Sequence, residues 1–334
     1  MATYNYKTNG LPIKLVPNSD GTYSLSVANT SEQQEEVSIK NAKDIRSRNS
    51  RFYITQEPTL LEIPTYEGSG QATHPSVYRD RTRWNGYYFW MAYTPYPNTD
   101  HENPCVVASN DGINWVVPSG LTNPLDPTPP TGYNSDTELV KIGTKLRVYW
   151  RWHTDTSENN VLYFSESSDG VNWTTKQECT FETHHDPISP AIIKTDKWYM
   201  YVGSTFRRFE STNGIHWTDP TNCVTNIDKV GRIWHQQVWA DKNKLRMVAS
   251  VSSLGDAPAT NTELFYGTSE DGINWTIEDN ALWRRKVGGA FDGRVYRSCV
   301  VPFAENNGEM FIYMSGLTTN NSERIGYAKV KFND

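Results

Sequence analysis

The sequence lacks the signatures of several common chemistries. No Gly-rich phosphate loop follows a strand and opens a helix, and no G-x-S-x-G stretch is present. The four cysteines, Cys105, Cys179, Cys223 and Cys299, have no C-x-x-C spacing, so a zinc ribbon or redox pair is excluded and free thiols are expected. Basic residues are not in excess. Lys and Arg number 32 against 38 Asp and Glu, a formal net charge of -6. That balance argues against sequence-independent nucleic-acid binding, which relies on a basic surface to release counterions. No apolar run is long enough to span a bilayer, and MATYNYKTNG at the start has no apolar stretch of the kind a secretory leader needs. Neither membrane insertion nor a signal peptide is expected. Long helical periodicity is missing too.

Aromatic residues are plentiful, at 13% of the chain with 12 Trp and 19 Tyr, so material for a large core is at hand. One phrase recurs: SNDGINW (109–115), SSDGVNW (167–173), STNGIHW (211–217) and SEDGINW (269–275). Two β-type runs precede each heptad and a third leads into it. In the second unit these are DTELVKI (136–142), KLRVYWRW (145–152) and VLYFSES (161–167); in the fourth, HQQVWAD, KLRMVASV and ELFYGTS. Short β-branched and aromatic stretches broken by turn residues are the pattern of antiparallel strands. The Asp-Gly or Asn-Gly pair is expected to supply the φ > 0 positions of a tight hairpin, and the Trp to start a fourth, outer strand. A four-stranded meander cannot bury both faces alone, and radial stacking of such units gives a β-propeller.

The expected fold is therefore all-β, a five-bladed β-propeller over residues 51–334 with a short N-terminal β-arm over 1–50. Units open near His74, Asp136, Ser189, His235 and Arg297. The fifth unit lacks the heptad and ends the chain, so its outer strand is missing or supplied from elsewhere; FYITQEP (52–58) is a candidate. In the arm, IKLV and TYSLSV flank NSDG as a hairpin, whereas residues 30–49 are polar and poor in aromatics. The arm is read as an attachment segment.

The five-unit pattern resembles the five-bladed propellers of arabinanase and β-xylosidase-type glycoside hydrolases over about residues 52–332, through the unit count, the Trp-bearing turns and openings such as HPSVY and HDPISPAII. A second resemblance is to bacteriophage tail and fibre proteins, through PIKLVPNSDGTYSLSV, HPSVY, WNGYYFWMAYTPYP and ENPCVVASNDGINW. It implies a virion localisation, a homo-oligomer with a trimer favoured, contact with other virion proteins through the arm, and a host cell-wall glycan or teichoic acid as partner.

Propeller ligands sit where the innermost strands begin. His74, Asp136, Ser189, His235 and Arg297, with Glu138, Asp186 and Tyr296 close by, are the hub candidates for a polar ligand. Trp84, Trp152 and Trp234, at strand ends or in loops, are the rim candidates, because sugars bind flat aromatic faces. Loop RRKVGGAFDGR (284–294) could also rim the hub.

Glycoside hydrolysis of the usual kind needs a pair of carboxyl groups. The hydrolase resemblance implies an Asp at the first blade, an Asp at the second and a Glu at the third. Here His74 and Ser189 stand at the first and third, and only Asp136 conforms. No catalytic residue is therefore assigned. His74, His235 and Asp136 form a recognised ligand set, two His and a carboxylate. They come from different blades without motif spacing, so a structural cluster is favoured and no metal or cofactor is expected. HTDTSENN (153–160) lacks the spacing of a calcium loop.

The resulting expectation is a virion fibre or baseplate receptor-binding module rather than an enzyme. The alternatives are a glycoside hydrolase-like enzyme acting on a polysaccharide, or a purely structural virion protein.

Overall fold

The computed structural model describes residues 51–332, apart from 155–159, 184, 228–230, 242, 254–260 and 304–307. It also gives the strand backbone at Tyr6–Thr8, Leu11–Pro17 and Tyr23–Val27. The polar stretch 30–49 lies outside the described residues. The chain divides into two compact units, Met1–Tyr53 with residues 333–334, and Ile54–Phe332. In the first, the three strands form an antiparallel meander, with the 11–17 and 23–27 strands paired.

The second unit is a five-bladed propeller. Its blades begin with inner strands Ala72–Arg79, Tyr133–Ile142, Ala191–Lys194, Gly231–Asp241 and Arg294–Val300. Each inner strand pairs antiparallel with the next strand of its own blade. The fifth blade takes its outer strand from Phe52–Leu60, beside the chain's last strand, Glu323–Phe332. This is the segment that sequence reading singled out. It closes the ring by pairing the start of the propeller with its end. The described helix is limited to 3-10 turns such as Trp84–Gly86. Apolar clusters fill the space between blades, one of them joining Met91 and Tyr93 of the first blade to Cys299, Phe311 and Tyr313 of the fifth. The four cysteines are buried and no disulfide joins them.

The heptad folds differently from a two-residue hairpin. Only its glycine has positive φ, between +72° and +77° in the four copies. Asp111 instead serves as an acceptor: its Oδ1 receives the Ile113 and Asn114 N–H groups at 2.8 and 2.7 Å, while Ser109 Oγ receives Gly112 N–H at 2.9 Å. Asn213 takes the same role in the third copy. This is an Asx-type turn, in which a side chain stands in for a backbone carbonyl. The Trp opens the outer strand in the first blade, at Trp115–Val116. In the second and third blades the outer strand comes later, at Gln177–Glu178 and Thr221–Asn222. There His216–Trp217 pairs in parallel with Thr180–Phe181, on the segment that trails from the preceding blade.

Each heptad therefore belongs to a seam between blades. Tyr313 donates to Gly112 O at 2.8 Å and Tyr149 to Gly214 O at 2.9 Å, each from the blade before. A Cβ on Gly170 would lie 2.1 Å from the Trp90 ring, which explains why that position is glycine.

The inner strands have one edge facing the axis, where main-chain N–H groups have no neighbouring strand. Side chains two residues past each opening supply the acceptors. Ser76 Oγ receives Leu139 N–H at 2.9 Å, Glu138 Oε1 receives Ile192 N–H at 3.2 Å, Cys299 Sγ receives Val77 N–H at 3.2 Å, and Gln237 Oε1 receives Val300 N–H. The third blade has Ala191 at this place. There Gln236 Nε2 bridges back, donating to Ser189 O and Tyr201 O at 2.8 and 3.0 Å. Arg297 adds an ion pair to Glu138 at 2.7 Å and a bond to Pro190 O at 3.0 Å. Glu138 thus ties blades one, two, three and five. Removing one partner of a buried pair strands a charge, at a cost of about 3–5 kcal/mol. Arg297→Met should lower unfolding free energy by that order in urea titrations. Adding Glu138→Gln to the same chain should recover part of it. A loss within experimental error for Arg297→Met alone would show that the clasp is not needed.

Candidate active site at the propeller hub

The openings place side chains at the axis by distorting the inner strands. Pairing slips between Thr73 and Ser76, between Ile233 and His235, and between Val295 and Ser298. Such bulges turn a side chain out of its strand register. His74, Asp136 and Ser189 have φ of +53°, +57° and +55°. Three non-glycine residues in the left-handed region at equivalent places is strain of the kind found at functional sites.

These distortions bring His74, Asp136, Ser189 and His235 together, each at most 2% exposed. His74 Nε2 lies 3.3 Å from Asp136 Oδ1, and His235 Nδ1 lies 3.9 Å from the same oxygen. Ser189 Oγ hydrogen bonds His235 Nδ1. Arg151 Nε stands 2.9 Å from Asp136 Oδ2, and its NH1 reaches Asp186 Oδ1 at 3.2 Å. Tyr296 packs against His235 with ring centroids 4.2 Å apart, and Trp234 meets the same ring edge-on at 5.8 Å. Both are half-buried and form the mouth of the site.

Burial dominates the protonation states. It lowers His74 to about 3 against the pull of Asp136, and it lowers His235 well below the usual imidazole range. Burial acts upward on Asp136, but Arg151 and the two histidines hold its carboxyl below the ordinary carboxylate range. Burial keeps the Tyr296 phenol protonated, with Asp136 and Glu102 adding to the effect. The hub at neutral pH is one carboxylate, two neutral imidazoles and a phenol.

The sequence candidates separate into groups. Glu138 and Arg297 belong to the clasp between blades, and Glu138 is further held by Ser76 Oγ at 3.0 Å. Asp186 is half-buried and reaches the hub through Arg151. Trp152 uses its indole N–H on Thr131 O at 2.9 Å and stacks on Tyr163. Trp84 sits beside the turn at the far end of the second blade's inner strand, donating to Thr144 O at 3.1 Å with Lys141 over its ring. It lies on the face away from the openings. Two residues escaped sequence reading. Arg151 lies inside YWRWH, noticed only for its aromatics. Glu102 sits in a connecting turn with no periodic signal. It is 3% exposed, and its Oε1 lies 3.2 Å from His74 Nδ1 and accepts from Ser135 Oγ at 2.6 Å.

His74, Asp136 and His235 form the one group among the described residues with potential metal-ligand atoms all within 4.8 Å of one another. His74 Nε2 and His235 Nε2 are buried without hydrogen-bond partners. Two ligand atoms on one divalent ion, each at about 2.1 Å, stand roughly 3.3 Å apart, close to the His74–Asp136 spacing. These residues suit a divalent transition metal. The separate blades that argued against a metal are the ones the hub brings together.

Fold and hub define a five-bladed propeller resembling the arabinanase and β-xylosidase type of glycoside hydrolases. Similar solved structures include an N-acetylgalactosamine deacetylase from F. plautii in complex with blood group B trisaccharide, at TM-score 0.71 and 22% identity, covering 84% of this chain and 95% of that one. They also include an exo-1,5-α-L-arabinanase from a bovine ruminal metagenomic library, at TM-score 0.59 and 11% identity, covering 78% of this chain and 93% of the other. Among curated proteins, the A type blood N-acetyl-α-D-galactosamine deacetylase of Flavonifractor plautii is 27% identical over 313 residues, 75% of this chain. The chain spans 40% of that relative's length. No protein-family model matches.

These relatives overturn the virion receptor-binding reading, since they are carbohydrate-active enzymes. The phrases behind that reading code for strands, turns and inter-blade seams.

Neutral buried histidines make stability depend on pH. The unfolded chain binds a proton at His74 below about pH 6.5, whereas the folded chain does not until about 3. The stabilisation is therefore complete above 6.5 and is lost as pH falls toward 3, at about 1.4 kcal/mol per pH unit. His235 acts in the same direction. Urea unfolding with chelator present should show this slope, and His74→Gln should reduce it; an unchanged slope in the variant would contradict the assignment.

Proposed function

We propose that this chain is a carbohydrate-active hydrolase that removes the acetyl group from an N-acetylated amino sugar in a glycan, with a divalent metal held by His74, Asp136 and His235. The observation that carries this reading is the group of two imidazoles and one carboxylate within 4.8 Å at the hub, where the hydrolase pattern has carboxylates. The deacetylase similarity supports it over the same propeller.

In the reaction, water adds to the amide carbonyl, the C–N bond breaks, acetate leaves and the amine takes up a proton. A divalent ion at this site would polarise the carbonyl and acidify a water. The chain's own groups prepare the rest. Arg151 keeps Asp136 ionised, and Ser189 fixes the His235 ring. Tyr296 stays protonated beside His235, so its hydroxyl can donate to the carbonyl oxygen as charge gathers there. Trp234 offers a flat face at the mouth for the sugar ring.

Glycosidic cleavage is the less favoured reading, because the other buried carboxyls are engaged. Glu138 is locked to Arg297, Ser76 and the Ile192 amide, and Glu102 lies behind His74. Asp136 alone does not make a pair.

The test is incubation with oligosaccharides ending in N-acetylgalactosamine or N-acetylglucosamine, following acetate and reducing ends together. Acetate release without chain cleavage is expected, lost with chelator and restored by a divalent ion. Asp136→Ala and His235→Ala should lower kcat/KM by about 100- to 1,000-fold, the scale of losing a main electrostatic contributor. New reducing ends without acetate, or full activity in chelator, would sink the reading.

A further inference from the structure

We propose that Glu102 is a positioning residue that sets the tautomer of His74 and so turns a lone pair toward the axis. The inference rests on the hub being a metal site, but its first test needs neither metal nor substrate.

His74 Nδ1 hydrogen bonds Thr94 Oγ1 at 2.9 Å and lies 3.2 Å from Glu102 Oε1. A hydroxyl can give or take a hydrogen and leaves the tautomer open. Glu102 Oε1 receives the Ser135 hydroxyl at 2.6 Å, so it acts as an acceptor whether the carboxyl is ionised or carries its proton on Oε2, and it calls for a proton on Nδ1. With the proton there, Nε2 carries its lone pair toward Asp136 Oδ1, 3.3 Å away. Two acceptors then face each other in a dry site, a repulsive arrangement that a cation between them would relieve.

Glu102 comes from the turn before the third strand of the first blade, and Ser135 from the inner strand of the second. The carboxyl is 3% exposed. A buried acid at a seam between blades would be costly as simple filler. A carboxylate behind a ligating imidazole fixes the ring and its tautomer, and removing such a partner typically weakens metal binding about 10- to 100-fold.

The experiment is long-range proton–nitrogen NMR on metal-free protein labelled at histidine, with His74 assigned through His74→Gln. The wild type should show His74 protonated at Nδ1. Glu102→Ala should move the population toward Nε2–H and weaken Zn²⁺ binding, measured by calorimetry, by about 10-fold or more. Glu102→Gln presents an acceptor at the same place, so it should keep the wild-type tautomer and an affinity within about threefold. Thr94→Val separates the second oxygen: the tautomer should persist. A wild-type Nε2–H signal overturns the proposal whatever the variants do. So does a tautomer that switches in Thr94→Val, or one unmoved in Glu102→Ala with unchanged affinity. Should Glu102→Ala not fold, the wild-type and Thr94→Val signals decide. Absence of acetate release with these signals as expected would sink the substrate assignment and leave the role of Glu102 standing.

Discussion

The structure depends on satisfying the inner edges of its blades. Five inner strands turn one edge toward a common axis, where they are too far apart to pair as a sheet. An unpaired buried N–H is costly, so each must find an acceptor. The chain answers with side chains. Ser76, Glu138, Gln237 and Cys299 each receive a main-chain N–H from the following blade, and the last of these links the fifth blade to the first. These bonds run around the hub in the direction of the chain. The Asx turns with their Trp and Gly do related work at the far ends of the third strands, where Tyr313 and Tyr149 reach across to the next blade. Inter-blade order is thus fixed twice, near the axis and nearer the rim.

This arrangement divides the labour between neighbours in sequence. In four blades the residue two past the opening is committed to the clasp, so its chemistry is spent on structure. The opening residues of the first four blades are thrown out of register by a bulge or a left-handed backbone and reach the axis, whereas Arg297, at the fifth, joins the clasp. Glu138 and Asp136 illustrate the split. Both are buried carboxyls on one strand. The first is bonded by Arg297, Ser76 and the Ile192 amide. The second faces two histidines whose outer nitrogens have no hydrogen-bond partner. A reading based on charge alone would treat them alike.

Much of this was legible in the sequence, for a definite reason. The heptads repeat because four of the blades use the same turn, and they marked four units, with the fifth recognisable from its remaining strands. The openings could be aligned from them, which located His74, Asp136, Ser189 and His235 before any coordinates. Phe52–Leu60 was identifiable as the closing strand because the fifth unit lacked one. Glu102 and Arg151 were not legible. Their roles come from contacts between blades, and neither occupies a repeated position. Trp84 misled because a tryptophan near a strand end looks alike on either face of a blade; only the direction of the strand tells which end meets the mouth. The resemblance to virion proteins misled similarly, since its propeller phrases lie in strands and turns of the first blade and, His74 and Glu102 apart, not at the hub.

The substitutions at the hub change what the same scaffold can do. A glycosidase places carboxyls on either side of a C–O bond, one to give a proton and one to attack or activate water. With His74 at the first opening and Ser189 at the third, that two-sided arrangement is gone. Two imidazoles and the Ser189 hydroxyl now gather beside one carboxylate. A convergent set is suited to gripping a single centre, such as an ion and the carbonyl drawn to it, rather than to straddling a bond. An amide makes a different demand from a glycoside: its carbonyl must be polarised for water to add, and the two buried, neutral imidazoles beside Asp136 keep unprotonated nitrogens at neutral pH. The propeller supplies the same five positions in both cases. In the function proposed above, the bond broken follows from whether those positions carry carboxyls facing each other or groups facing a common point.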